Sequence, residues 1–210
     1  MPYPKIYVFM MLMSTNVRKS MVPDYPLEDA LSSLRNSGLI LFPTDTIWSI
    51  GTDAKDPVAI LRLLRLYHLV ESPQPVEILV DSLEMLKQYV PGLHPKLETL
   101  LLYHVQPLAI QVTNMDRLPV QLRDADVPVA FRLVQDNYCR QLIQAFGGPI
   151  ASMFATFDGT RLPAHFGNIN SDVVTSADLV VGLDVPAQKS GQPSVMIRLS
   201  PDDELEFLRE

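Results

Sequence analysis

The 210-residue chain has a single cysteine, Cys139, which excludes an internal disulfide framework and fits a reducing compartment. Cys139 sits in the helix-like stretch NYCRQLIQAF and reads as a packed residue rather than a nucleophile. The four histidines (His68, His94, His104 and His165) have no paired ligand spacing, so no zinc site is expected. The sequence lacks a Gly-x-x-x-x-Gly-Lys-Ser/Thr phosphate loop, a Gly-x-Gly-x-x-Gly turn and a Gly-x-Ser-x-Gly elbow. No apolar run approaches the ~18 residues of a membrane span. IYVFMMLM, after Lys5, is short and is followed by polar STNVRKS without a small-residue cleavage site, so residues 1–25 are expected to be an extension or an edge strand. Positive charge is also scarce. With 17 Lys+Arg against 24 Asp+Glu the net charge is −7, which argues against nucleic-acid binding by the surface as a whole and leaves only a local basic groove open. Hydrophobic content of 47% is that of a globular chain. A cytoplasmic protein with no membrane partner is expected.

Helical and strand-like segments alternate from residue 26 onward. PLEDALSSLRNSG has Leu27, Ala30, Leu31 and Leu34 on one face, with Gly38 as the expected stop. LILF reads as a short buried strand. DPVAILRLLRLYHLV is the strongest helix, with Asp56 as N-cap and Pro57 at its first position. VEILV, PLAIQVT, VPVAFRLV, PIASMFA, ADLVVG and SVMIRL read as strands, and DSLEMLKQYV, HPKLETLLLYH and NYCRQLIQAF as helices, the last ended by Gly147-Gly148. A further strand is expected over residues 5–13. Such alternation predicts an α/β fold with a mixed sheet, and no shift in composition divides residues 26–210.

The most informative stretch is LILFPTDTIWSIGTDA, residues 39–54. An apolar strand ends in Thr44-Asp45-Thr46, and the only tryptophan, Trp48, follows. Such a turn either caps its own backbone or lies at a sheet end, where α/β proteins place ligands. Both readings stand on the residues alone.

The longer segment GLILFPTDTIWSIGTDAKDPVAILRLLRL resembles the opening of the YrdC/Sua5/YciO family, with its Pro-Thr-Asp/Glu-Thr, aromatic, glycine and following helix. VPVAFRLVQDN resembles that family's arginine-bearing strand and puts Arg132 at the arginine. GGPIASMFATFDGTRLP, GQPSVMIRL and LEFLRE resemble its later motifs in the same order, with Arg209 at the closing arginine. The resemblance implies a single domain over residues 26–210, with a twisted mixed sheet and flanking helices around a large concave pocket. It also implies condensation of L-threonine, bicarbonate and ATP to threonylcarbamoyl-adenylate, in the biosynthesis of threonylcarbamoyladenosine in tRNA. By the same resemblance Thr44, Thr46, Trp48, Arg132 and Ser194 form the ligand-binding wall. Arg132 and Ser194 also have plain readings, as a paired strand-end arginine and as turn chemistry.

The opposite wall departs from the family pattern. Its Lys-x-Arg falls on Tyr67 and Leu69, and a later lysine falls near Gln74. Its Ser-x-Asn falls on Phe154 and Thr156, with Ser152 a weaker register, and its Ser-Gly becomes Asp158-Gly159. Substituting Tyr and Leu for Lys and Arg removes charge and bidentate donors where a triphosphate would need them. The expectation is a divergent paralogue that binds a nucleotide, an amino acid such as L-threonine, or RNA, with its ATP-phosphate site degraded. The alternatives are an active synthase with a phosphate site rebuilt from Arg62, Arg65 or Arg161, and a non-catalytic interaction protein with a vestigial pocket. ATP with Mg²⁺ is expected as cofactor only if synthesis is retained. His68, beside the altered wall, is expected to be solvated.

Overall fold

The computed structural model describes residues 27–71, 73–123, 127–158, 162–183 and 190–210. The strand expected over residues 5–13, Gly159 and Arg161 lie outside these. In chain order the elements are α1 (Glu28–Arg35), β1 (Ile40–Phe42), β2 (Ser49–Asp53), α2 (Pro57–Tyr67), β3 (Val76–Val80), α3 (Leu83–Tyr89), α4 (Pro95–Tyr103) and β4 (Leu108–Gln111). There follow α5 (Val120–Arg123), β5 (Val129–Leu133), α6 (Asn137–Phe146), β6 (Ile150–Phe154), a 3-10 turn (Phe166–Asn168), α7 (Ser171–Ser176), β7 (Leu179–Val180), β8 (Val195–Leu199) and β9 (Leu205–Arg209).

Local chemistry sets the ends of these elements. Asp56 accepts from Val58 N at 2.8 Å and Pro57 takes the first position of α2, where its missing N–H costs nothing. Ser82 caps α3 by accepting from Met85 N, and Asp136 caps α6 by accepting from Cys139 N. Gly147 closes α6 at φ 77°, a left-handed conformation that glycine adopts without steric penalty. The end of α1 differs from expectation. Ser37, not Gly38, takes the positive φ, and Gly38 is needed because a Cβ there would lie 2.7 Å from the Ser33 carbonyl.

Among the described residues the sheet has nine strands in the order β7-β1-β2-β6-β3-β5-β4-β8-β9. The pairs β1–β7, β3–β5 and β4–β8 are parallel; β1–β2, β2–β6, β3–β6, β4–β5 and β8–β9 are antiparallel. Strand alternation gives the sheet two faces. Leu41, Ile50, Ile78, Val80, Phe131 and Ala151 join one large apolar cluster with the inner side of α2. On the other face Ile40, Phe42, Leu79 and Ile150 pack under α1 and α6. The same face continues across β3, β5, β4 and β8 with a different content. Register sets Glu77 beside Ala130, Arg132 beside Ala109, and Ala109 beside Met196. Small side chains thus surround two buried charges, and this is the part of the sheet that carries the site.

Candidate functional site

The turn between β1 and β2 is built by its own hydroxyls. Thr44 Oγ1 donates to Ile47 O at 2.7 Å, lies 2.8 Å from Thr46 Oγ1, and accepts from Thr46 N. With the threonines holding the backbone, Asp45 points to the end of β5. There its carboxylate pairs with the Arg132 guanidinium and accepts from Gln135 N at 3.0 Å.

Arg132 is 1% exposed and Glu77 3%, so both charges lie inside the protein. Arg132 Nε is 2.8 Å from Glu77 Oε2, a charge contact without the alignment of a hydrogen bond. The other oxygen, Glu77 Oε1, accepts from Ser194 Oγ at 2.9 Å and from Arg209 Nη2 at 2.7 Å. Arg209 is fixed by further contacts: Nη2 to Ser194 Oγ (2.7 Å), Nε to Ser194 O (2.8 Å) and Nη1 to Gln74 Oε1 (3.1 Å). Its guanidinium carbon lies 5.1 Å from the centre of the Phe154 ring, within cation–π range. A chain of alternating charge, Asp45–Arg132–Glu77–Arg209, therefore runs from the β1–β2 turn through β5 and β3 to the end of β9.

Neighbouring charges overcome burial in this chain. Burial alone would raise the Glu77 carboxyl, but Arg132, Arg209 and the hydrogen bonds from Arg209 and Ser194 hold it below its ordinary value. Burial likewise opposes the charged form of Arg132, and Asp45 and Glu77 raise its pKa regardless. Asp136 goes the other way. Burial first, and the nearby Asp45 second, raise its carboxyl. Asp45 and Asp136 line an open hollow of about 270 Å³ with Pro107, Gln135 and Ser190. Two carboxylates and a hydroxyl make it suited to an ammonium group.

The five residues of the expected ligand wall are all buried, and four of them are linked through this network. Thr44 and Thr46 support Asp45, Asp45 holds Arg132, and Glu77 joins Arg132 to Ser194. The Trp48 ring lies 5.3 Å from that of Phe166 at a tilt of 58°. Of the positions expected to have lost phosphate-binding chemistry, Tyr67, Gln74, Phe154 and Thr156 line one small recess with Val70, Pro73 and Met153. Its cavity volume, about 10 Å³, is room for one water at most. Leu69 is 64% exposed and takes no part in it. His68 is exposed at the end of α2. Ser152 donates to Glu77 O within the sheet, and Arg62 is held by Ser37 O and Asp178, both at 2.9 Å. Cys139 is buried, its thiol 3.4 Å from Pro43 O and raised well above its usual pKa, chiefly by burial. Among the described residues no group of three or more His, Cys, Asp or Glu is placed to hold a metal ion.

Sequence reasoning missed Glu77, the centre of the network, and the part taken by Asp45. A signal was present. An acid inside VEILV, a segment that reads as fully buried, requires a cationic partner.

Comparison with known proteins agrees with this architecture. The Sua5/YciO/YrdC family model, described as telomere recombination, matches residues 32–210. Threonylcarbamoyl-AMP synthase of Chromohalobacter salexigens is 28% identical over 134 residues, covering 63% of this chain and 72% of the relative. The synthase of Alkalilimnicola ehrlichii is 25% identical over 181 residues, covering 83% and 91%. P. abyssi Sua5 complexed with L-threonine superposes with a TM-score of 0.69 at 20% identity, over 87% of this chain and 53% of that one. This chain thus spans about half the length of P. abyssi Sua5. E. coli YciO superposes with a TM-score of 0.70 at 20% identity, covering 90% and 92%. Among the described residues no helix is long and apolar enough to cross a membrane. On the extent of the family match, and with the nine-stranded mixed sheet that carries it, the chain belongs to the Sua5/YciO/YrdC family.

Proposed function

We propose that this chain is a divergent member of the family that holds a small amino acid of the L-threonine type by its ammonium group and does not carry out ATP-dependent synthesis of threonylcarbamoyl-adenylate. The observation that carries the reading is the neutralisation of Arg132 and Arg209 by Asp45 and Glu77. A triphosphate leaving as pyrophosphate needs cations free to meet its developing charge. Here two guanidiniums at the site already have buried carboxylate partners. The wall that resembles the family's phosphate site carries Tyr67 where the family has lysine and Phe154 where it has serine, around a recess of about 10 Å³. With these cations neutralised, the described residues offer little to hold ATP with Mg²⁺.

The amino-acid half of the reading rests on the hydroxyl-bearing turn and the acidic hollow beside it. Asp136 Oδ2, buried and without a hydrogen-bond partner, and the Ser190 hydroxyl offer oxygen acceptors to an ammonium group, and Asp45, Gln135 and Pro107 complete the rim. A solved structure of a relative with the same fold is complexed with L-threonine, which supports a ligand of that class. The −7 net charge weighs against RNA.

Two measurements test the proposal. Pyrophosphate release from ATP in the presence of L-threonine and bicarbonate is expected to stay at the protein-free rate; release above it overturns the loss of synthesis. In calorimetry L-threonine and its methyl ester, which keeps the ammonium and masks the carboxylate, are expected to bind comparably, and N-acetyl-L-threonine not at all. Binding of the N-acetyl compound but not the ester would reverse the assigned polarity.

A further inference from the structure

Glu77 is out of character with its strand. Every position of VEILV is buried, the strand lies in the interior of the sheet, and the neighbours of Glu77 in register are Ala130 and Ser152. Its carboxylate is nevertheless coordinated as a bound ligand would be. One oxygen accepts from the Ser194 hydroxyl at 2.9 Å and Arg209 Nη2 at 2.7 Å; the other lies 2.8 Å from Arg132 Nε. These partners are also held independently of Glu77. Asp45 pairs with the other end of the Arg132 guanidinium, and Gln74 Oε1, Ser194 O and the Phe154 ring fix Arg209. Ala109 and Ala130 add no bulk beside them.

We propose that the Glu77 carboxylate is a built-in occupant of an anion cradle formed by Arg132, Ser194 and Arg209, which shuts that cradle to phosphate and carboxylate ligands and makes Glu77 the residue that sets the ligand class of the site. The inference rests on the functional reading above, in which buried carboxylates neutralise Arg132 and Arg209. Its chemistry is specific. Glu77→Ala removes Cγ, Cδ and both carboxylate oxygens, and these are the heavy atoms of acetate. With both guanidiniums still oriented by their other partners, the truncated cradle takes free acetate, or the smaller formate, at the position left by the side chain. No covalent step is involved.

The test is thermal unfolding of wild type, Glu77→Ala, Glu77→Gln and the double variant Glu77→Ala/Arg209→Met, in sodium acetate and in sodium chloride at equal ionic strength. Glu77→Ala is expected to melt below wild type in chloride and to regain on the order of 5 °C, saturably, when acetate reaches about a hundredfold excess over its dissociation constant. Wild type and Glu77→Gln, whose cradles are filled by a side chain, are expected to show no saturable gain. The double variant, lacking one arm of the cradle, is expected to lose most of it. If Glu77→Ala does not fold in chloride, refolding from urea gives the readout: recovery in acetate and not in chloride supports the cradle, and failure in both overturns it. Equal acetate effects in wild type and Glu77→Ala also overturn it. Failure here leaves ATP and L-threonine titrations of the wild type untouched, so the two readings fail separately.

Discussion

Arg132 shows how one residue ties fold to site. Its guanidinium is buried between two carboxylates from separate elements, and removing it takes the cation from Asp45 and leaves Glu77 with Arg209 and the Ser194 hydroxyl. Breaking a buried pair from one side costs about 3–5 kcal/mol, most of it the stranded charge. Arg132→Met is therefore expected to lower the urea midpoint by that free energy divided by m, with m itself unchanged. Acid should act on the same network through Glu77. Its carboxyl is held below its ordinary 4.5 in the folded state, so on acidification the unfolded state takes up the proton first. The stabilisation is complete above the unfolded value and is lost as pH falls through the folded one. Melting measured from pH 6 to pH 3 should show an acid limb that Glu77→Gln flattens. Asp136 has the opposite sign: its raised carboxyl favours the folded state at low pH and costs stability as pH rises through the folded pKa. Asp136→Asn keeps the α6 cap and removes that penalty, so it is expected to melt above wild type at pH 7, with the gap closing below pH 4. Little of this residue-level chemistry was legible in advance. Arg132, Arg209 and Ser194 stood out by resemblance, but nothing in sequence spacing brings residue 77 to residues 132 and 209; register across β3, β5, β4, β8 and β9 does.

Elements with strong local chemistry were readable and the others were not. Asp56-Pro57 announced the start of α2, and Gly147 the end of α6, because cap and φ requirements act within a few residues. β2, SIGTD, carries no strand signature, since its serine, glycine and threonine are common in turns. Pairing on both sides, with β1 and with β6, makes it a strand. Gly51 in its centre is a packing requirement. An added Cβ would meet Ala151 O at 2.8 Å and Phe42 Cε1 at 3.0 Å, so Gly51→Ala is expected to cost about 1–3 kcal/mol in denaturant titration. α5 and α7, of 4 and 6 residues, are too short for helical periodicity to show. Gly38 was identified as a helix stop and turns out to be a point of close approach, while Ser37 takes the turn.

At the scale of the whole molecule, the fold was legible from the alternation of elements and the order of motifs, because each strand carries its own apolar pattern. The site was half legible. The positions expected to have lost phosphate chemistry include four that line one recess, yet the sequence alone could not say that Arg209 would lie against Phe154 or that Leu69 would be exposed. The central claim is that a family fold persists around a charge-balanced interior that no longer receives a triphosphate. Isothermal titration of the wild type with ATP–Mg²⁺, with and without L-threonine and bicarbonate, tests it most directly. The account predicts no saturable heat from ATP under either condition and a saturable heat from L-threonine alone. Micromolar ATP binding that tightens with L-threonine would contradict it.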